Sequence, residues 1–89
     1  SKPMEIKYVW CVKTHIVQFY ETITDEVRLF NSLEDAARFF AEVVDGERKL
    51  ATEKEWVIGY DDTYNFEAYE DGYYAKSHSC VNLFEIPIE

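Results

Sequence analysis

The sequence predicts an α+β domain: an antiparallel β-sheet of about four to six strands with one amphipathic helix packed on one face. Three observations lead there. β-prone residues dominate both ends of the chain, a single run with helical periodicity separates them, and 89 residues suffice for one domain.

Taken in order, Ser1-Lys2-Pro3 reads as a cloning remnant ahead of an initiator Met4, which leaves residues 4–89 as the single domain. Glu5 to Val12 alternates in part and is rich in Tyr, Val and Trp, which suits a strand. His15 to Thr24 stays β-prone through Ile16, Val17, Phe19, Tyr20 and Ile23, as a hairpin or a long bent strand. Asp25 to Phe30 reads as a further strand or as its tail, with Val27 and Leu29 on one face.

The helix has the clearest signal. Ser32 stands as N-cap with Asp35 three residues on, and Glu34 and Asp35 suit the positive end of the helix dipole. Leu33, Ala36, Ala37, Phe40 and Val44 form one apolar stripe, widened by Phe39 and Val43. Gly46 is the expected left-handed stop, giving a helix of about 12–14 residues. Glu47 to Glu55 is then a polar connector with at most a stray turn at Leu50.

Trp56-Val57-Ile58 resumes β character and Asp61-Asp62-Thr63 is a turn. Asn65 to Glu70 alternates, with Phe66 and Ala68 on one face and Asn65, Glu67 and Tyr69 on the other. Asp71-Gly72 is a two-residue hairpin signal of the type I′ kind, with a return strand from Tyr73 to Lys76. Val81 to Ile86 is the last strand, with Pro87 at its edge or end.

Chemistry-bearing motifs are sparse. Cys11, His15, His78 and Cys80 could share a sheet face, yet their spacing lacks the close Cys pairs of a structural zinc site, so no metal is expected. A Cys–His nucleophile drawn from the same residues has no helix N-terminus beside the thiol to activate it. A Cys11–Cys80 disulfide would need adjacent strands. Residues 61–65 lack the alternating carboxylates of a calcium loop, and no glycine-rich phosphate loop occurs. No cofactor and no catalytic residue is predicted. Signal peptide, membrane-spanning run and glycosylation sequon are not seen, which predicts a cytoplasmic protein, in the host cytoplasm if it is viral.

Charge carries the functional signal. The chain has 18 acidic and 9 basic residues, a net charge of −9. That disfavours direct binding to nucleic acid or to anionic membranes and favours a basic protein partner. Residues 55–75 hold six carboxylates and no Lys or Arg, together with five of the seven tyrosines. Tyrosine supplies rigid contact area with a polar tip, and carboxylates accept paired hydrogen bonds from arginine. Outward residues on a strand rise about 6.6–6.8 Å apart, and a duplex strand presents a phosphate about every 3.4 Å, so strand carboxylates sample phosphate-like spacings.

The predicted partner-binding residues are Tyr60, Asp61, Asp62, Tyr64, Glu67, Tyr69, Glu70, Asp71 and Tyr73. Their expected use is non-enzymatic: occupying the nucleic-acid-binding surface of a basic protein or nuclease. In size and charge the chain is similar to the small acidic inhibitors, often phage-encoded, that block restriction enzymes or CRISPR effectors. The alternative is a small assembly subunit that meets its partner through an apolar sheet face or edge.

Overall fold

The computed structural model describes residues 7–73 and 75–88. Five strands and one helix follow in the order β1 (Lys7–Gln18), β2 (Glu21–Phe30), α1 (Leu33–Glu53), β3 (Val57–Asp61), β4 (Asn65–Tyr69) and β5 (His78–Ile88). The sheet is antiparallel throughout, with strand order β2-β1-β5-β4-β3. The helix therefore leaves one edge strand and delivers the chain to the opposite edge. It spans about 31 Å at 1.5 Å per residue, against about 19 Å for four strand spacings, so it crosses one face of the sheet edge to edge.

The core lies between them. Val12 of β1, Phe66 and Ala68 of β4, and Val81 and Leu83 of β5 pack against Ala36, Phe40, Val44 and Ala51 of the helix. Trp10, Phe30, Phe39 and Trp56 seal its margins. The alternation read from residues 65–69 holds, since Phe66 and Ala68 are buried and Asn65 and Tyr69 are exposed. Pro87 sits on β5 beyond the stretch that pairs with β4, where its missing N–H costs no ladder bond to that strand.

Two turn assignments change. The helix starts as predicted, with the Asp35 N–H donating to Ser32 Oγ at 3.2 Å, but it runs 21 residues, through Gly46 to Glu53. Gly46 is not in the left-handed region. The residues expected as a connector are the last two turns, held down by the buried Ala51. The stop lies at Glu55, whose φ is 58°. The Trp56 N–H donates to the Ala51 carbonyl at 2.8 Å and the Glu55 N–H to the Thr52 carbonyl at 3.2 Å. This is a Schellman motif with glutamate where glycine is usual. The helix overrides its glycine because its next apolar residues still face the sheet.

The second change concerns hairpins. Asp71-Gly72 does not form a type I′ turn: Gly72 has a φ of 128°, Asp71 is not in the left-handed region, and β5 begins only at His78. The Glu70 N–H instead closes a wider loop on the Ser77 carbonyl at 2.9 Å. Tyr73 lies in this loop rather than on a strand, and Tyr74 and Met4 fall outside the described residues. The tight hairpin is elsewhere. Gln18 pairs with Glu21, so β1 and β2 are joined by Phe19-Tyr20 alone, with φ of 51° and 69°. Two positive φ values in a two-residue loop are the type I′ signature, normally supplied by Asn-Gly. The left-handed region costs a bulky residue roughly 1–2 kcal/mol.

Glycine thus stands at a helical position where it weakens the helix, and is missing from the stop where it would help. A Cβ at Gly46 meets nothing within 4 Å. Gly46→Ala is expected to stabilise the fold by about 0.5–1 kcal/mol in urea denaturation. A loss of stability would restore the left-handed stop at Gly46.

Candidate protein-binding surface

Among the described residues one helix packs on one face of five strands and the other face is left bare, and strand alternation decides what stands on it. The register sorts this face into rows that run across the strands. Leu29, Cys11 and Phe84 form one row, followed by Val27, Lys13, Asn82 and Asn65. The next reads Asp25, His15, Cys80, Glu67 and Tyr60 across all five strands. The last holds Thr22, Val17, His78, Tyr69 and Val57. The face is apolar at one end and polar at the other.

At the polar end, His15 Nδ1 lies 3.5 Å from Asp25 Oδ1 and the His15 and His78 rings are 5.8 Å apart. Cys80 lies between His15 and Glu67, flanked by shallow depressions of about 370 and 420 Å³ that share Glu67 and Asn82. The order Asp25, His15, Cys80 has the layout of a nucleophilic relay, but the chemistry points the other way. Burial and the neighbouring Glu67 carboxylate push the Cys80 thiol up, away from the thiolate a nucleophile needs. No group of three or more His, Cys, Asp or Glu among the described residues is arranged to hold a metal ion. Cys11, only 1% exposed, stands opposite Phe84 and Leu29, four residues along β1 from the partner of Cys80, and both cysteines are free thiols.

The nine residues singled out from the sequence do not form one surface. Tyr60, Glu67 and Tyr69 share the bare face. Asp61 points to the helix side, where Arg48 Nε and Nη2 each donate to its carboxylate at 2.7 Å. Asp62 closes the β3–β4 turn by accepting from the Tyr64 and Asn65 N–H groups at 2.9 and 2.7 Å, with Tyr64 exposed beside it. Glu70, Asp71 and Tyr73 sit in the loop at the other end of β4. Asp61 and Asp62 are therefore tied up in holding the fold. Glu67, Glu70 and Asp71 make no ion pair among the described residues.

Sequence reasoning passed over two groups. Val27, Leu29, Phe84 and Ile88 are exposed at the apolar end of the bare face, Leu29 at 61%. Phe19 and Tyr20 are 72% and 68% exposed at the hairpin tip. Val27 and Leu29 had been assigned a common face, but nothing in the chain says that no second layer covers it. Phe-Tyr is not a turn signal in any propensity. Among the described residues no helix is long and apolar enough to cross a membrane. Comparison with protein families, with curated proteins and with solved structures finds no match to this chain.

Two carboxylates respond to pH in opposite senses. The hydrogen bonds from Arg48 hold Asp61 below the usual carboxylate range. Its contribution is present above the unfolded pKa of about 4 and is lost as pH falls through the folded value. Both side chains are partly solvated, so the pair is worth no more than about 1 kcal/mol. Burial pushes the Glu47 carboxyl up. Ser79 draws it partly back without reaching hydrogen-bond geometry, since Glu47 Oε1 and Ser79 Oγ are both buried and unpartnered. A raised carboxyl stabilises the fold below its unfolded pKa and loses that contribution as pH rises through the folded value. Glu47→Gln is therefore expected to stabilise the protein at pH 7 by about 1 kcal/mol. The gain should vanish below about pH 4. Urea denaturation at the two pH values measures it, and a destabilised variant at pH 7 would mean that the carboxylate is satisfied.

Proposed function

We propose that this chain is a non-enzymatic, acidic protein-binding module that docks on a basic protein surface, one that ordinarily holds nucleic acid. One observation carries the reading. All three arginines of the chain are engaged by carboxylates: Arg28 by Glu26, Arg38 by Glu34 and Asp35, and Arg48 by Asp45 and Asp61. Glu67, Glu70 and Asp71 carry no such partner among the described residues and stand with Tyr60, Tyr69 and Tyr73 on the bare face and the loop that continues it. These three are among several carboxylates without an ion pair, and they stand beside aromatic rings, so the two residue types that recognise arginine by paired hydrogen bonds and by stacking occur together there. An inhibitor that covers a nucleic-acid site is the form of this reading that a charge of −9 best supports.

A second reading rests on the other end of the same face. Among the described residues its apolar side chains are accompanied by Lys7 and Lys13 but by no carboxylate, which suits a subunit contact little affected by salt. Sedimentation separates the two. Association that survives molar salt and is lost in Leu29→Lys or Phe84→Lys supports assembly, whereas a salt-indifferent monomer removes it.

For the first reading, capture from host lysate at low salt should retain a nucleic-acid-binding protein that added DNA or RNA displaces. Glu67→Gln, Glu70→Gln and Asp71→Asn combined should weaken that capture at least tenfold in low salt. The difference should close at 1 M salt, where charge attraction is screened within about 3 Å. Unchanged capture by the neutral variant sinks the proposal.

A further inference from the structure

The β1–β2 hairpin turns on two residues that the turn does not favour. Phe19 and Tyr20 both hold positive φ, 51° and 69°, where Asn-Gly would make the same turn without strain. Their side chains do not repay this by packing inside, since they are 72% and 68% exposed. The backbone is nonetheless held in place. The Phe19 N–H donates to Ser77 Oγ at 3.1 Å and the Tyr20 N–H to the Lys76 carbonyl at 2.9 Å. Ser77 is buried, and its carbonyl in turn receives the Glu70 N–H. The tip is thereby fastened to the loop that carries Glu70, Asp71 and Tyr73, the last 93% exposed. Among the described residues, the segments fastened together at this end carry three exposed rings with Glu21, Glu70 and Asp71, against a single Lys or Arg, Lys76.

Strained backbone that displays side chains to solvent is a cost without structural return, and such outliers gather at binding sites. We propose that Phe19 and Tyr20 form the anchor of the partner contact, seated among arginine side chains of the basic partner, with Glu70 and Asp71 pairing the guanidinium groups around them. Aromatic faces attract arginine more than lysine, because the planar guanidinium both stacks and carries charge. The anchor therefore gives the module a preference for arginine-rich over lysine-rich surfaces. This rests on the basic-partner reading and adds the location and the side-chain chemistry.

The test is Phe19→Asn combined with Tyr20→Gly, which keeps the turn, relieves its strain and removes both rings. Labelled deca-arginine and deca-lysine peptides serve as probes in low salt, with the melting temperature recorded in parallel. The parent should bind deca-arginine more tightly than deca-lysine. The variant should melt no lower than the parent, bind deca-arginine about tenfold more weakly and lose the preference. If the parent binds neither peptide, the basic-partner reading falls and the anchor with it. If the parent prefers arginine and the variant binds just as tightly, the anchor alone is overturned. Binding of the parent to phosphatidylcholine vesicles that the variant lacks, with peptide binding unchanged, would make the tip a lipid contact and would equally overturn it. Should the variant melt lower, Tyr20→Leu replaces it. That side chain retains apolar bulk without an aromatic face, and an undiminished arginine preference would refute the proposal.

Discussion

One helix has to carry the chain from the β2 edge of the sheet to the β3 edge, and most of the structure follows from that crossing. The run Leu33–Glu53 is more than long enough for this crossing, and its apolar stripe continues past Gly46 to Ala51, which is buried against the sheet. It commits one sheet face to the core, and among the described residues no second layer covers the other. It also brings Arg48 over β3, so the helix is latched to the edge strand through Asp61. The edge strands themselves are short or charged, as edges in stable monomers commonly are: β3 has five residues, and β2 carries Glu21, Asp25, Glu26 and Arg28.

A second face without a covering layer among the described residues follows from one helix packed on one sheet, and its division into an apolar and a polar end has to be judged against that. Isolated exposed apolar residues are ordinary on a domain of this size. What departs from the ordinary is the pairing of charge. Each arginine is consumed within the fold, mostly by carboxylates close by in sequence or on a facing element. Among the described residues Glu67, Glu70 and Asp71 make no ion pair, and they lie on β4 and in the loop that follows it, beside Tyr60, Tyr69 and Tyr73. Carboxylates gathered beside aromatic rings, more than the total of −9, are what the proposal of a basic partner draws on.

Local pattern made the fold class legible, and it failed where a competing signal was stronger. The alternation of residues 65–69, the Ser32 cap and the helical stripe all lie within a few residues of their partners, and each is found as read except that Leu33, at the first turn, is exposed. Gly46 and Asp71-Gly72 are strong local stop and turn signals that tertiary packing overrode. Glu55 and Phe19-Tyr20 took the left-handed positions although neither carries a propensity for them. The candidate surface was legible as composition but not as geometry. Nothing in the run Asp61-Asp62 says that one carboxylate faces the helix while the next closes a turn. That division depends on Arg48, thirteen residues before Asp61 in the chain.

The local departures from favoured chemistry are not equivalent, and they differ in what the fold gives back for each. Gly46, Glu55 and the unpartnered Glu47–Ser79 pair all lie along the second half of the helix or against it, where packing of Ala51 and Trp56 stabilises the segment and offsets them. A small domain tolerates such concessions because stability only has to exceed what folding requires. The hairpin tip differs. No packing of Phe19 or Tyr20 rewards their backbone, and any residue pair suited to the turn would serve the fold better. Within the fold's own energetics these two rings have no use, whereas a partner that encloses them would recover the apolar area they leave in water. The strain at residues 19 and 20 is therefore better accounted for outside the molecule than inside it.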